Sequence, residues 1–582
     1  MRHKKMLVVA CLAALVLPVA PAAADSRDEF RILPYLQNPS ATGIRVTWLT
    51  EDGEPGRLTV QGGRTYDVPG EPQQTLAYTE AERTQEIPGL DQGSWLLGET
   101  SYKHTALVEG LRPDHRYRYT VRQGDARFTG RFQTAPTADD WRHVRLIAMS
   151  DSETEPLGRA QKREWAPGTV DGGARPSAAP GSAWDQVHGT ATLNGQQVLR
   201  YPLTEDEGLR RNLAEVERRS PDAVLFTGDL VQGGGYQPGW DEFFRHTAGT
   251  SGDLLSSVPI LPAFGNWESF GALNGGYGSP ADRAPVVRSR AKFHTYFDGP
   301  DNGTPRHRDN YYRIDYGPLT VLTLDSNNGE PDDRAANYPP VEKLTGQQFT
   351  VPGTDTQENF TRTEYETAGG TDLSDYNPGS VQWNWVERQL ISARTAGQIV
   401  LVQFHHVPYS SGEHGLPMNH ALTSGQGGTP MRVYHPLFER HGVAAVISGH
   451  SEMFERSFVD ANGDGVGVNY YDVGVSGDGL RGVRQVGGVP LEYNPYSQWT
   501  ADQSEPERWG AGATPRLIGG GKHYGHLEIN VERVRGDRAR ISLTPVYLFP
   551  VLDKNLTVVR TERRTYHDEL TIDIDRQGRP QY

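Results

Sequence analysis

Residues 223–229 of the chain read Ala223-Val224-Leu225-Phe226-Thr227-Gly228-Asp229, an apolar run that ends in a Gly-Asp pair. A short apolar run with β-branched and aromatic residues predicts a buried strand. Asp229 then follows the carboxyl end of this strand, which is the edge where α/β folds place their binding sites. The stretch therefore predicts an α/β fold with Asp229 in its functional site.

Four other blocks repeat this pattern, with a carboxylate, amide or imidazole side chain after a predicted strand. They are Ser150-Asp151-Ser152-Glu153, Gly265-Asn266-Trp267-Glu268, Phe404-His405-His406 and Gly449-His450-Ser451-Glu452. Side chains that leave the carboxyl ends of neighbouring strands can converge on one point. Because these residue types are metal ligands, the blocks together predict a metal site.

In this order and with these spacings, the five blocks resemble the calcineurin-like metallophosphoesterase superfamily. Within it they are most similar to the purple-acid-phosphatase-like branch, which carries a fibronectin type III-like domain ahead of the catalytic one. The resemblance implies an all-β sandwich followed by an α/β metallophosphoesterase domain of two packed mixed sheets flanked by helices. It also implies two divalent metal ions, a small phosphorylated substrate, and hydrolysis of phosphate esters by metal-bound hydroxide.

The region before the first block has a different pattern. From residue 30 to about 134, short β-prone runs alternate with turn residues, which is typical of an all-β sandwich. After a polar connection at 135–140, strands alternate with helices. We predict a fibronectin type III-like β-sandwich over residues 28–136 and a metallophosphoesterase domain over 141–580, with a Gly/Pro-rich insertion at about 155–202.

The N-terminus has the three-part layout of a secretory signal. Basic residues at 2–5 precede an apolar stretch at 6–19, and three alanines at 22–24 precede an acid. The apolar stretch is shorter than the about 20 residues of a membrane-spanning helix. We predict a signal peptide over residues 1–24 and a secreted, extracellular protein with no stable membrane anchor after cleavage. The single cysteine, Cys11, lies in this signal, so the mature protein has no cysteine-ligated metal.

The charge of the chain excludes one class of partner. The formal net charge is −15, and removal of the predicted signal takes away basic residues and no acid. Such a surface repels polyanions, so we expect no nucleic-acid binding by a basic patch. A phosphate substrate must be held by local positive charge, which bound metal ions can supply.

The resemblance implies two ligand sets that share Asp229 as a bridge. The second set is Asn266, His405 and His450, all of which match the family. The first set is Asp151 and two positions at which the family has histidines and this chain has Glu153 and Glu452. Both replacements are acidic and fall on the same inferred metal, which favours a retained site with changed chemistry. An oxygen-only first site favours Ca²⁺, Mg²⁺ or Mn²⁺, whereas the mixed second site suits Zn²⁺, Fe or Mn²⁺.

Two further positions depart from the family. Gln232 stands where the purple-acid branch has its iron-ligating tyrosine, and Trp267 stands where the family has a histidine that assists the transferring phosphoryl group. An indole cannot donate a catalytic proton, and general-acid help is worth about 10²–10⁴-fold, so His406 or His414 would have to replace it. The candidate catalytic residues are Asn266, Glu268 and His406, with Glu268 orienting a ligand.

Two functions follow from these residues. One is a secreted metal-dependent phosphoesterase with an unusual carboxylate-rich first site. The other is a non-catalytic extracellular protein that binds metal or another ligand and retains the phosphoesterase fold. The paired glutamates Glu153 and Glu452 favour the enzyme, Trp267 favours the binding protein, and the sequence leaves both open.

Overall fold

The computed structural model describes residues 29–166, 177–193, 195–327, 360–416, 427–535 and 538–582. The predicted signal peptide at 1–24 lies outside these ranges, as do residues 167–176 and 194 of the predicted insertion. Across the described ranges, no helix is both long enough and apolar enough to cross a membrane.

The first domain consists of strands and one short helix. The strands are β1 (Phe30–Gln37), β2 (Ile44–Thr50), β3 (Gly56–Val60), β4 (Arg64–Val68), β5 (Glu71–Pro72), β6 (Tyr102–Val108), β7 (Arg116–Gln123) and β8 (Ala126–Gln133), and the helix is α1 (Glu80–Thr84). They form two layers, ordered β1-β2-β6-β5 and β4-β3-β7-β8. Buried side chains of both layers, including Trp48 and Tyr119, share one core. The predicted all-β domain is confirmed.

Helices and strands alternate after residue 141. The next strands are β9 (His143–Met149), β10 (Lys162–Trp165), β11 (Thr190–Leu193), β12 (Gln196–Thr204), β13 (Ala223–Phe226) and β14 (Ile260–Pro262), and the helices are α2 (Ala183–His188), α3 (Glu205–Arg219), α4 (Gln237–Thr247) and α5 (Ala284–Tyr296). Helix α3 begins at a capping box, in which Thr204 Oγ1 accepts from the Glu207 N–H (3.2 Å) and the Glu207 carboxylate accepts from the Thr204 N–H (3.1 Å).

The described part of the predicted insertion is an ordered small sheet. Strands β10, β12 and β11 pair antiparallel in that order. Trp165, Trp184 and Leu199 are fully buried in a core of their own beneath it. Burial of these large apolar side chains stabilises the small sheet against the domain.

The remaining elements complete the second domain. The strands are β15 (Tyr312–Tyr316), β16 (Leu319–Thr323), β17 (Ile399–His406), β18 (Ala445–Gly449), β19 (Phe454–Val459), β20 (Val468–Val473), β21 (Gln485–Val486), β22 (Val489–Pro490), β23 (Ser497–Thr500), β24 (Arg508–Trp509), β25 (Leu517–Gly519), β26 (Gly525–Val534), β27 (Arg538–Leu552), β28 (Val558–Thr565), β29 (Leu570–Ile574) and β30 (Pro580–Gln581). The helices are α6 (Arg362–Thr367), α7 (Val381–Thr395) and α8 (His435–Arg440).

Two mixed sheets form the centre of this domain. The first is ordered β30-β29-β27-β26-β9-β13-β14 and continues through β1 into the first domain, and the second is ordered β15-β16-β17-β18-β20-β19-β23. Facing side chains such as Leu225 and Leu401 fill a common core between the sheets. Helices α4 and α5 pack on the outer side of the first sheet, and α7 and α8 on that of the second. The predicted two packed mixed sheets flanked by helices are confirmed.

Strand direction positions the site. Strands β9, β13 and β14 are parallel neighbours in the first sheet, and β17 and β18 are parallel neighbours in the second. The carboxyl ends of parallel strands meet at one edge of a sheet. The five predicted blocks therefore lie close together, at the carboxyl-end edges of the two sheets.

Candidate metal centre

Several predicted ligands have strained backbone. Among the described residues, the candidate ligands with positive φ are Asp151 (54°), Glu153 (39°), Asp229 (50°), His450 (78°) and Glu452 (51°). This left-handed conformation costs a non-glycine residue about 1–2 kcal/mol and persists where the surrounding structure imposes it. Strain concentrated on one set of polar side chains is typical of a functional site.

Asp229 lies at the centre of the site. It belongs to two groups of three side chains whose ligand atoms all lie within 4.8 Å of one another. One group adds His405 and His450, and the other adds Asp151 and Glu153. Gly228 before it has φ of 102°, and a Cβ there would lie 2.6 Å from His405 Nδ1, so the close approach of this loop to β17 requires glycine at this position.

The second predicted set lies on the histidine side of Asp229. His405 Nδ1 is 3.0 Å from the Thr227 carbonyl oxygen, which makes Nδ1 the protonated nitrogen and turns Nε2 toward the site. Nε2 lies 2.9 Å from both Asp229 Oδ2 and Asn266 Oδ1. Burial lowers the pKa of His405, so the imidazole is in the neutral form that binds metals.

The first predicted set lies on the carboxylate side. The Asp151 carboxylate accepts the His450 N–H at 3.1 Å, and Glu153 is buried with Oε1 lacking a hydrogen-bond partner in the described chain. With its amide nitrogen turned inward, Gln232 donates to Glu153 Oε2 at 2.6 Å. Gln232 therefore holds a candidate ligand at the place where the resembled branch has a ligating tyrosine.

Electrostatics favour cations at this centre. Burial, opposed by His405 and reinforced by Asp229, raises the pKa of Asp151 to about 7. Burial and neighbouring carboxylates likewise raise the pKa of Glu153 and Asp229 well above their ordinary values. Buried carboxylates this close repel each other unless positive charge lies between them. The donor set, with the unpartnered Glu153 oxygen, fits bound metal ions.

Glu452 lies near the carboxylate side, where its charge adds to the rise in the pKa of Glu153. Its Oε2 lies 2.6 Å from Arg481 Nε, and it is not a member of either group centred on Asp229. The sequence places Glu452 and Glu153 in equivalent roles, but an ion pair occupies Glu452 in the structure.

Glu268 connects two of the loops. It is fully buried, and its carboxylate accepts the N–H groups of Gly265 (2.7 Å), Asp229 (3.1 Å) and Leu230 (2.8 Å). Burial, with Asp229 next in effect, raises the pKa of Glu268 to about 7. These contacts support the predicted orienting role, in which Glu268 fixes the loop of the central aspartate.

His406 and Trp267 have different surroundings. His406 is fully buried, with Nδ1 2.9 Å from Ser326 Oγ and its ring 4.3 Å from that of His450. Burial lowers the pKa of His406 well below its ordinary value. The backbone N–H of Trp267 donates to Asp229 Oδ1 (2.9 Å). The indole ring of Trp267 packs edge-on against Phe270. The contact between Trp267 and Asp229 therefore comes from the backbone and does not depend on the side chain at position 267.

Sequence reasoning missed the loop at 474–482 that follows β20. The N–H of Ser150 donates to Ser476 Oγ (3.1 Å), and the N–H of Asp478 donates to the Asp151 carbonyl oxygen (3.0 Å). The same signal that identified Asp229, an apolar strand followed by Gly477-Asp478, is present here and could have found it.

A third acidic group, Asp206, Glu242 and His246, lies between α3 and α4. Arg245 contacts Asp206 at 2.7 Å, and Arg159 and Arg245 both pair with Glu242. Since arginines already balance its charge, this group is an ion-pair network rather than a metal site.

The fold and the site together define a class. Two buried ligand groups share one aspartate at the carboxyl ends of strands from two packed sheets, which is the arrangement of a two-metal hydrolase centre.

Comparison with known proteins agrees with this class. A model for the calcineurin-like phosphoesterases matches residues 204–452, and a model for the N-terminal domain of purple acid phosphatases matches residues 31–135. The second domain is therefore similar to the calcineurin-like phosphoesterases, and the first domain is similar to the N-terminal domain of purple acid phosphatases. No curated protein matches it significantly.

Three solved structures are similar to the chain at low sequence identity, and one of them, PhoD, has a TM-score above 0.5. PhoD is 12% identical with a TM-score of 0.51, over 97% of this chain and 93% of PhoD. A purple acid phosphatase from seeds of yellow lupin, Lupinus luteus, is 14% identical with a TM-score of 0.48, over 92% of this chain and 74% of that one. A dimetal phosphatase from Danio rerio is 11% identical with a TM-score of 0.33, over 73% of this chain and 99% of that one.

Proposed function

We propose that the protein is a metal-dependent phosphoesterase that hydrolyses phosphate esters at the site centred on Asp229. The observation that carries the proposal is the membership of Asp229 in both ligand groups. A carboxylate shared between two ligand sets suits two cations about 3.5–4 Å apart, the spacing used in phosphoryl transfer. The similarity of residues 204–452 to the calcineurin-like phosphoesterases supports the same class of reaction.

Two different cations suit the two sides. Asp151, Glu153 and Asp229 offer only oxygen atoms, which favours Ca²⁺, Mg²⁺ or Mn²⁺. On the other side, His405, His450 and Asn266 mix nitrogen and oxygen, which suits Zn²⁺, Fe or Mn²⁺. When bound, such cations neutralise the charge that develops on the phosphoryl oxygens and make water a better nucleophile.

The protein residues keep this donor set in place. The N–H of Trp267 and the Glu268 carboxylate fix the loop of Asp229. The Thr227 carbonyl oxygen fixes the tautomer of His405. We also propose that the protein is secreted and acts on a small phosphorylated molecule, on the basis of the predicted signal peptide and the reaction class.

One observation favours the competing function, a non-catalytic extracellular metal- or ligand-binding protein. Trp267 stands at the position of the assisting histidine, and its indole packs against Phe270. Bound metal without hydrolysis of any ester would establish that function instead.

The test combines metal analysis with a panel of phosphate monoesters and diesters. We expect hydrolysis that a chelator abolishes and added metal restores. Asp229→Asn should lower both metal content and activity, the latter by about 10²-fold or more. Asp464→Asn, in the exposed hairpin between β19 and β20, is the matched control and should change neither. Parent-like metal content and activity in Asp229→Asn would refute the proposed site.

A further inference from the structure

The loop at 474–482 approaches Glu452 closely. Gly479 has φ of 72°, and a Cβ there would lie 2.2 Å from Glu452 Cβ. The N–H of Arg481 donates to the Glu452 carbonyl oxygen (2.8 Å), and the Arg481 carbonyl oxygen accepts the Gln503 N–H (3.2 Å). The backbone on both sides of the Arg481 side chain is therefore fixed against the metal centre.

The guanidinium group of Arg481 contacts Glu452 through Nε, and the side chain is partly exposed to solvent. Its Nε lies 2.6 Å from Glu452 Oε2, and the side-chain exposure is 48% for Arg481 but 8% for Glu452. A guanidinium has five N–H donors in a planar fork. With Nε directed at Glu452, the terminal nitrogens can bind an anion that approaches from solvent.

The surroundings place this positive charge beside the first ligand set. Burial opposes the charge of Arg481, but Glu452, followed by Glu153, raises its pKa overall. The chain as a whole is strongly acidic, so an anionic substrate needs local positive charge to bind. A fixed guanidinium next to a two-cation centre supplies that charge with the geometry that phosphate oxygens match.

We propose that Arg481 binds the phosphate group of the substrate, and that Glu452 orients Arg481 instead of holding a metal ion. The proposal rests on the proposed function for the presence of a phosphorylated substrate. It follows from the contact between Glu452 and Arg481 and from the absence of Glu452 in the ligand groups around Asp229. In this proposal Arg481 touches the phosphoryl group, and Glu452 is a positioning residue that acts through Arg481.

The test uses the metal-loaded full chain and inorganic phosphate as the probe in calorimetry. Arg481→Gln should raise both the Kd for phosphate and the KM for phosphate esters by about 10-fold or more, the effect of one charge-assisted hydrogen bond. Arg481→Lys should give Kd and KM values between those of the parent and of Arg481→Gln, because an ammonium group keeps the charge but lacks the planar fork of donors. Glu452→Gln should weaken phosphate binding while leaving the metal content per chain unchanged.

Arg484→Gln is the matched control, since Arg484 lies three residues further on and pairs with Glu413. It should leave the phosphate Kd unchanged. An unchanged phosphate Kd in Arg481→Gln, or loss of a metal ion in Glu452→Gln, would overturn the inference.

The outcomes separate this inference from the proposed function. Hydrolysis by the parent with an unchanged KM in Arg481→Gln refutes the inference and keeps the function. Phosphate binding that depends on Arg481 in a parent that hydrolyses nothing refutes the function and keeps the inference. A parent that neither binds phosphate nor hydrolyses esters refutes both.

Discussion

Replacing Glu268 with alanine tests whether one buried carboxylate holds the loops of the metal centre together. Glu268 accepts three buried backbone N–H groups, those of Gly265, Asp229 and Leu230. Each donor that loses its acceptor costs about 1–3 kcal/mol. Since water entering the space can satisfy one of them, we expect the free energy of unfolding of the chelated protein to fall by about 3 kcal/mol.

The same change should weaken metal binding. The loops joined by Glu268 carry Asp229 and Asn266, and losing a group that orients ligands lowers metal affinity by about 10–100-fold. Urea unfolding in the presence of a chelator measures the stability, and a metal titration of the folded protein measures the affinity.

Glu82→Ala separates the two effects. Glu82 is fully buried and accepts the N–H groups of Thr79 (2.7 Å) and Gln237 (2.7 Å) and the Asn274 amide (2.8 Å). Its loss should lower stability by a similar amount and leave metal affinity unchanged. A Glu268→Ala protein as stable as the parent, or one destabilised but with parental metal affinity, would refute the reasoning.

Three further outcomes are expected. The iron-loaded protein should lack an intense visible band, because Gln232 replaces the ligating tyrosine; a strong band lost on mutating Tyr236 would contradict this. Aryl phosphates should be cleaved far faster than alkyl phosphates, and Trp267→His should raise alkyl rates by up to about 10²–10⁴-fold; equal parental rates would show that another group already donates the proton. Because burial raises the pKa of Asp151 and Glu268 to about 7, the folded chelated protein binds protons that the unfolded chain releases. Its unfolding free energy should therefore fall as the pH rises from about 5 to 7, and added metal should reverse this; a flat profile would contradict the assignment.

Local sequence patterns predicted much of the fold. The apolar run before Gly228-Asp229 is strand β13, and the domain order and the two mixed sheets are confirmed. These features depend on residues close together in the chain, where periodicity and turn chemistry act directly. Asp229 follows β13 and His405 lies near the carboxyl end of β17, so their meeting depends on how the two sheets pack as well as on local pattern.

Contacts between distant segments were not predictable in this way. The ion pair between Glu452 and Arg481 joins two loops that follow different strands of the second sheet, and no periodicity signals which carboxylate an arginine will meet. The pairing of β1 with β14 at Gln37 and Ile260, which joins the sheets of the two domains, likewise depends on packing over more than 200 residues. The small sheet in the Gly/Pro-rich insertion was also not predicted, because it packs on a core formed by Trp165 and Trp184, which are distant in the sequence.

The two glutamates show why residue type alone does not define a ligand. Glu153 has an unpartnered buried oxygen beside Asp151 and Asp229, so this oxygen is free to bind a cation that enters the site. Glu452 has its charge balanced by Arg481 at 2.6 Å. A carboxylate already paired with a guanidinium gains less from a metal ion than one whose burial is uncompensated. Glu153 is therefore the stronger candidate ligand of the two, and we propose that Glu452 orients Arg481.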